Sequence, residues 1–159
     1  MKKFFIAGIL WSLALMAGVA AADIIAARTR TSDFVVNVGA AVVVPVNNVG
    51  NTGISFITTA DNQRVVIEYT AECTVTAAGT ATWVSLTIQV DGVTALPTST
   101  DQAFCTSNDN GSNWASVVSK AIFVVPDAGL HTARIMAQLN NAVAGNTARL
   151  DDSTITVEQ

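Results

Sequence analysis

The sequence has few of the residues that usually carry catalysis or metal binding. Its 159 residues include one histidine, His131, and two cysteines, Cys73 and Cys105. A Ser-His-Asp triad would have to use His131, and no Gly-x-Ser-x-Gly motif presents a nucleophile. Strand alternation places His131 on the same face as Ile135 and Leu139, which suits a partly buried structural residue. We therefore predict no catalytic residue and no cofactor.

The N-terminus has the three parts of a secretory signal peptide. A positive start, Met1-Lys2-Lys3, precedes an apolar run over residues 4–19, and Ala20-Ala21-Ala22 supplies a small-residue exit. We place the cut between Ala22 and Asp23, which makes residues 1–22 a leader and residues 23–159 a single domain of 159 − 22 = 137 residues. A retained anchor is the alternative, because the run is close to the minimum length for a membrane span. The prediction is a secreted or periplasmic protein with no membrane attachment after cleavage.

Positive charge is scarce in the exported part. Lys2 and Lys3 leave with the leader and all acidic residues remain, so the domain carries (8 − 2) − 12 = −6. Phosphate binding requires clustered Lys and Arg, which excludes nucleic acid as an expected partner. An anionic membrane surface is an equally poor fit.

Two cysteines in an exported chain usually pair. We predict a Cys73–Cys105 disulfide; two free thiols or half of a metal site are the alternatives. The bond would fix the polar stretch Pro97–Asn113, which we interpret as a long loop.

Val, Thr, Ala and Asn dominate the exported part, and no sustained helical period occurs. Residues 64–76 alternate between apolar and mostly polar side chains, which is typical of a half-buried strand. Asp91-Gly92 predicts a tight hairpin between Val90 and Val93. Further strands are predicted at residues 24–29, 34–38, 42–46, 54–58, 82–90, 114–125, 130–139 and 148–157. Eight or nine short strands indicate an all-β, antiparallel β-sandwich, with a jelly roll as the first choice and an immunoglobulin-like sandwich as the second.

This order of segments resembles small bacterial secreted jelly-roll domains, and is distantly similar to tumour-necrosis-factor and complement-type globular heads. The similarity lies in Val65–Val75, in Trp83–Val90 with Asp91-Gly92, and in Ala121–Val125 followed by residues 126–132. The resemblance implies a jelly roll that associates, often as a trimer, through an apolar sheet face. No binding motif of that group matches here, so it implies no functional residue.

An apolar stripe faces away from the predicted core of strand 114–125. It consists of Trp114, Val118, Ile122 and Val124. Three interpretations stay open: the strand is buried on both faces, the stripe is a subunit interface, or an aromatic platform there binds carbohydrate. Trp83 also lies opposite the inward set of its strand.

The acidic residues offer weaker candidates. Adjacent strand residues point to opposite faces, so Asp151 and Asp152 are not expected to line one site. Glu68 and Glu72 share a face that we interpret as solvated. The stretch from Thr106 does not match a calcium-loop pattern, since Asp is missing at its first position and Glu at its twelfth. A looser calcium site would use Asp101, Asn108, Asp109 and Asn110.

These observations predict an exported, non-catalytic structural or surface-interaction module that associates with itself. A filament subunit is one variant, in which the segments Ile24–Ala27 and Phe34–Val38 add a strand to a neighbour's sheet. A carbohydrate- or calcium-binding module is the alternative, and a small hydrolase is third.

Overall fold

The computed structural model describes residues 22–77, 81–97, 103–107 and 114–159. Within these ranges, no helix is long and apolar enough to cross a membrane. The described chain forms these strands: β1 (Ile24–Arg30), β2 (Phe34–Asn37), β3 (Val42–Val44), β4 (Ile54–Thr58), β5 (Gln63–Thr76), β6 (Trp83–Val90), β7 (Val93–Thr94), β8 (Ala103–Thr106), β9 (Ala115–Val125), β10 (Gly129–Asn140) and β11 (Thr147–Glu158). The predicted leader, residues 1–22, lies almost entirely outside the described residues.

Two antiparallel sheets pack face to face, which confirms the predicted β-sandwich. Sheet I has the order β1-β11-β5-β9, with β2 also on β11, and sheet II has the order β3-β10-β6-β7, with β4 on β10 and β8 on β6. β1 and β2 are successive parts of one edge strand, as are β3 and β4, and β7 and β8. When each of these three pairs of segments is counted as one strand, the chain has eight strands. The first strand then pairs with the eighth, the second with the seventh, the third with the sixth and the fourth with the fifth. This order is that of a jelly roll.

The alternation in β5 produces the core as predicted. Val65, Ile67, Tyr69 and Cys73 are fully buried, while every second residue faces outward. Inward residues of sheet II, such as Ile135, complete the hydrophobic core. The hairpin is confirmed as well: Val90 pairs with Val93, and both turn residues, Asp91 and Gly92, have positive φ, as a type I′ turn requires.

The stretch Pro97–Asn113 is not a continuous loop. Residues 103–106 form β8, which pairs with the start of β6 and buries Phe104 and Cys105. The prediction missed this strand because it contains only four residues, of which two are buried. The structure joins Cys105 to Cys73 in a disulfide, as predicted, with the two Cα atoms 6.2 Å apart. Since β5 belongs to sheet I and β8 to sheet II, the bond ties one sheet to the other.

The segments expected to reach a neighbouring subunit are used within the chain. β1 and β2 both pair with β11, and the backbone of Asp23 exchanges two hydrogen bonds with Gln159. At the junction of β1 and β2, the Arg30 guanidinium donates hydrogen bonds to the carbonyls of Ser32 and Asp33 and lies over the Phe34 ring. Donation of these strands to another copy would therefore break existing pairs.

Removing the disulfide should lower stability without changing the fold. The bond spans 32 residues of sequence, and the chain-entropy model gives about 3–4 kcal/mol for a loop of that size. We expect the double substitution Cys73→Ala/Cys105→Ala to lower the free energy of unfolding by about this amount in urea. The reduced wild-type protein should unfold at a similar urea concentration. If the reduced wild-type protein instead unfolded at the same urea concentration as the oxidised protein, the lower stability of the double variant would come from lost side-chain packing and not from the missing cross-link.

The single tyrosine should make stability fall at alkaline pH. Burial raises the pKa of the Tyr69 phenol above its ordinary value of 10.0, more than Ser153 and Arg30 lower it. Its hydroxyl is buried with no geometrically acceptable hydrogen-bond partner among the described residues. As pH rises above 10, the Tyr69 phenol ionises in the unfolded chain before it ionises in the folded protein. The free energy of unfolding is therefore unaffected by this group below pH 10 and falls above it. Tyr69→Phe should retain stability at pH 7 and lose less than wild type above pH 10, as urea titrations would show. Equal alkaline losses in the two proteins would contradict this assignment.

Candidate interaction surface

The outer face of sheet I carries the stripe predicted on β9. Register pairs Thr70 with Val118 and Val66 with Ile122, so even-numbered residues of β5 and β9 lie side by side on the solvent face. Val118, Ile122 and Val124 are 60%, 42% and 50% exposed. The interpretation that β9 is buried on both faces is therefore wrong for the described chain. This side of β9 therefore exposes large apolar side chains to solvent.

Leu96 extends this surface beyond the edge of β9. Its N–H and C=O exchange hydrogen bonds of 2.9 and 2.8 Å with the C=O and N–H of Ile122. Directly opposed residues of an antiparallel pair place their side chains on the same side, and Leu96 is 63% exposed. We call the set formed by Leu96, Val118, Ile122 and Val124 the apolar ridge. Half-buried Val66 lies behind it on β5.

Trp114 precedes β9 and lies about 13 Å along the chain from Val118, the nearest residue of the ridge, at 3.3 Å per residue. Between Val118 and Ile122, the Lys120 ammonium lies 2.8 Å from the Glu68 carboxylate, which raises the pKa of Lys120. This ion pair interrupts the predicted four-residue stripe, with Trp114 and Val118 on one side of it and Ile122 and Val124 on the other.

The surface around Trp114 includes a cation that the sequence did not indicate. The guanidinium carbon of Arg149 lies 5.9 Å from the centre of the Trp114 ring, and Arg149 also forms an ion pair with Asp33. Trp114 is 42% exposed. Trp83 lies on the outer side of sheet II, half-buried, so the two tryptophans do not form one platform.

His131 is a structural clamp. It is buried, and its Nδ1 lies 2.7 Å from a carboxylate oxygen of Asp91 while its Nε2 lies 3.0 Å from the carbonyl of Asp127. The other Asp91 oxygen accepts the Thr132 N–H at 2.8 Å. Both ring nitrogens therefore contact acceptors that connect the 91–92 turn to the turn before β10. This arrangement leaves neither nitrogen for a nucleophile.

A β-bulge in β11 sets the positions of Asp151 and Asp152, and of the two only Asp152 lines a depression beside Glu72. Asp151 pairs with Glu72, but the next pair in the same ladder is Thr154 with Thr70, so β11 contains one extra residue. Such a β-bulge breaks the alternation and redirects side chains. Asp152, with a φ of 40°, consequently lines a depression of the outer face together with Glu72.

The weak calcium candidate cannot be placed. Asp101, Asn108, Asp109 and Asn110 lie outside the described residues. Within the described ranges, no group of three or more His, Cys, Asp or Glu side chains is arranged to hold a metal ion.

Sequence reasoning identified the exposed side of β9 and missed its neighbours. Leu96 reaches the ridge only through its bridge to Ile122, and Arg149 reaches Trp114 only because β11, β5 and β9 are adjacent in the sheet. Strand order was not predictable from the alternation. The bulge had one possible signal, the adjacent polar residues at 151–154, which interrupt an otherwise alternating strand.

Comparison with known proteins gives likenesses of architecture only. No protein-family model matches the chain, and no curated protein matches its sequence. Among solved structures, the infectious bursal disease virus VP2 subviral particle shares 14% identity at a TM-score of 0.46 and covers 96% of this chain. This chain covers 37% of that protein, so it spans well under half of its length.

Two solved carbohydrate-binding modules are also similar. The CBM36-1 domain of a multidomain xylanase from the hindgut metagenome of Trinervitermes trinervoides has 16% identity and a TM-score of 0.31, over 78% of this chain and 96% of that one. CBM35 from Paenibacillus barcinonensis has 18% identity and a TM-score of 0.31, over 86% and 97%. The strand order given above defines the fold without these likenesses.

Replacing Asp91 tests the clamp. Asp91→Asn keeps the size of the side chain and tolerates positive φ, but removes the charge that faces His131. We expect a loss of about 1–2 kcal/mol in the free energy of unfolding, as for a hydrogen bond to a charged group at a partly exposed site. Asp61→Asn is the matched control, because Asp61 accepts one backbone hydrogen bond, from Ala128, and an amide oxygen can replace it. Equal urea midpoints for Asp91→Asn and wild type would refute the clamp.

Proposed function

We propose that this protein is an exported, non-catalytic structural module that associates with copies of itself through the apolar ridge. The observation that carries the proposal is the exposure of four large aliphatic side chains along the outer side of β9 and its bridge to Leu96, on a sheet whose other face packs against the core. Contiguous exposed apolar surface on a soluble domain usually marks an interaction site. A second copy is the partner that this surface fits.

The local charge supports a second copy over an unrelated acidic or basic partner. The exported domain is acidic overall, at (8 − 2) − 12 = −6, which opposes self-association elsewhere on its surface. At the ridge, Arg64 lies opposite Val124 and Lys120 pairs with Glu68. Glu158 lies opposite Val66 and near Lys120. Two cations and two anions therefore border the ridge, so two copies can approach there without net negative repulsion and can place opposite charges together.

The pairing of β1 and β2 favours side-chain packing over strand donation. Both strands are held by β11, and their release would expose the Val36 side chain, which is fully buried. An assembly through the ridge requires no such opening. This argument removes the support for a strand-donating filament and favours a closed oligomer.

Export is supported by two features. The first 22 residues have the composition of a signal peptide. The Cys73–Cys105 disulfide suits an oxidising compartment.

A non-catalytic role is supported by the state of His131. Its two ring nitrogens are held by Asp91 and Asp127, as described above. A general base must be within hydrogen-bond reach of the proton it removes, and the clamp occupies both positions from which His131 could act.

Association should depend on concentration and on the ridge. In sedimentation and light-scattering experiments on the exported domain, wild type should form a defined oligomer. Ile122→Thr/Val124→Thr keeps β-branched side chains, and with them the strand preference, but makes the ridge more polar. We expect association to weaken by at least about tenfold, equivalent to about 1.4 kcal/mol.

The matched control is Ile57→Thr/Leu130→Thr. These residues are a cross-strand pair on the outer face of sheet II, 63% and 71% exposed. This variant should associate like wild type. A wild type that stays monomeric at every concentration, or a loss of association in the control instead of the ridge variant, would overturn the proposal.

A further inference from the structure

Both ring nitrogens of His131 face hydrogen-bond acceptors, and this fixes the charge that the clamp requires. Nδ1 lies 2.7 Å from a carboxylate oxygen of Asp91, and Nε2 lies 3.0 Å from the carbonyl oxygen of Asp127. Carbonyl and ionised carboxylate oxygens only accept hydrogen bonds. A neutral imidazole carries one N–H, so in either tautomer one of its nitrogens would direct a lone pair at an oxygen. Only the doubly protonated imidazolium can donate to both acceptors at once.

The charged groups around the ring are acidic. Among the described residues, the segments packed against it carry Asp91 in the hairpin, Asp127 in the turn before β10, and Asp61, whose carboxylate accepts a backbone N–H of that turn. β4 faces the ring with the uncharged Phe56, and the cation of β10, Arg134, is exposed on the opposite face of its strand. At 8% exposure the ring gains little from water, so the ion pair with Asp91 is the main compensation for a buried charge.

The two hydrogen bonds of the ring respond differently to the loss of a proton. A hydrogen bond to a carboxylate is the stronger of the two, so the remaining hydrogen stays on Nδ1, facing Asp91. The second oxygen of Asp91 also accepts the Thr132 N–H at 2.8 Å, which keeps the carboxylate in place. Nε2 is then left with a lone pair that faces the Asp127 carbonyl, and that carbonyl keeps the longer hydrogen bond from the Thr58 hydroxyl, at 3.3 Å. Deprotonation therefore acts on the turn at residues 126–129 and leaves the hairpin contact intact.

We propose that the clamp is proton-dependent: the imidazolium of His131 holds the turn at residues 126–129 against the Asp91 hairpin, and the neutral ring releases that turn. Histidine is the side chain that ordinarily changes its charge between pH 5 and 8, which suits it to such a contact. The turn joins β9 of sheet I to β10 of sheet II, and its Pro126 carbonyl accepts the Asn62 N–H at 3.1 Å. Release therefore loosens a connection between the two sheets.

The proton stabilises the fold on the acid side of the release. Only the folded protein places both acceptors at the ring, so the second hydrogen bond adds to the free energy of unfolding while the ring is charged. That contribution is lost once the ring is neutral. The Tyr69→Phe variant, which removes the separate loss above pH 10, should show this histidine step by itself in urea titrations across pH 5 to 9.

Nuclear magnetic resonance of the ring tests the proposal directly. His131 is the only histidine of the chain, so the exported domain, prepared without a histidine tag, gives a single set of imidazole signals. At pH 5 both ring nitrogens should carry slowly exchanging hydrogens. At pH 9 the hydrogen on Nε2 should be absent and that on Nδ1 retained, while the amides of residues 128–130 exchange at least about tenfold faster after correction for the intrinsic effect of pH. A ring that is neutral at pH 5, or one that loses its proton while these amides stay protected, would overturn the proposal.

Two aspartate variants separate the clamp from the general charge of the region. Asp91→Asn keeps the size of the side chain but removes the charge that pairs with the ring, so the release should shift to lower pH. Asp61→Asn is the matched control, because Asp61 contacts the same turn but not the ring, and the pH of release should stay at that of wild type. His131→Gln, which cannot carry a charge, should show the same corrected amide exchange at pH 5 and pH 9. Equal shifts in the two aspartate variants would mean that regional charge holds the proton, and would contradict the proposal.

Discussion

The register between β5 and β9 determines which side chains reach the core and which reach the solvent. Along these strands, odd-numbered residues such as Tyr69 and Ala121 are buried between the sheets, and even-numbered residues face outward. A slip of β9 by one residue would turn Lys120 toward the core and Ala121 toward the solvent. A slip of β5 would instead bury Glu68 and turn Cys73 outward, so the disulfide could not form. The core, the cross-link and the outer face of sheet I therefore depend on this alignment.

The outer face of sheet I combines features that a purely structural sheet would avoid. A solvent face built only for stability would pair opposite charges across strands, as Lys120 and Glu68 do. On both sides of that pair the chain instead exposes aliphatic side chains, and beyond Val118 it opposes the carboxylates of Glu72 and Asp151. Both arrangements lower stability or solubility unless another molecule covers them. Departures of this kind from local consistency are where function is usually found.

Most of the fold was predictable because the alternation of apolar and polar residues is visible within each strand and does not depend on which strands pair. The long strands, the Asp91-Gly92 hairpin and the disulfide were predictable from residue type and spacing alone. β8 was not, because four residues carry too little periodicity, and its burial depends on pairing with β6. Leu96 joins the apolar ridge through a backbone bridge that no side-chain pattern announces. The bulge at Asp152 inserts one extra residue into β11, which the alternation of apolar and polar residues could not predict.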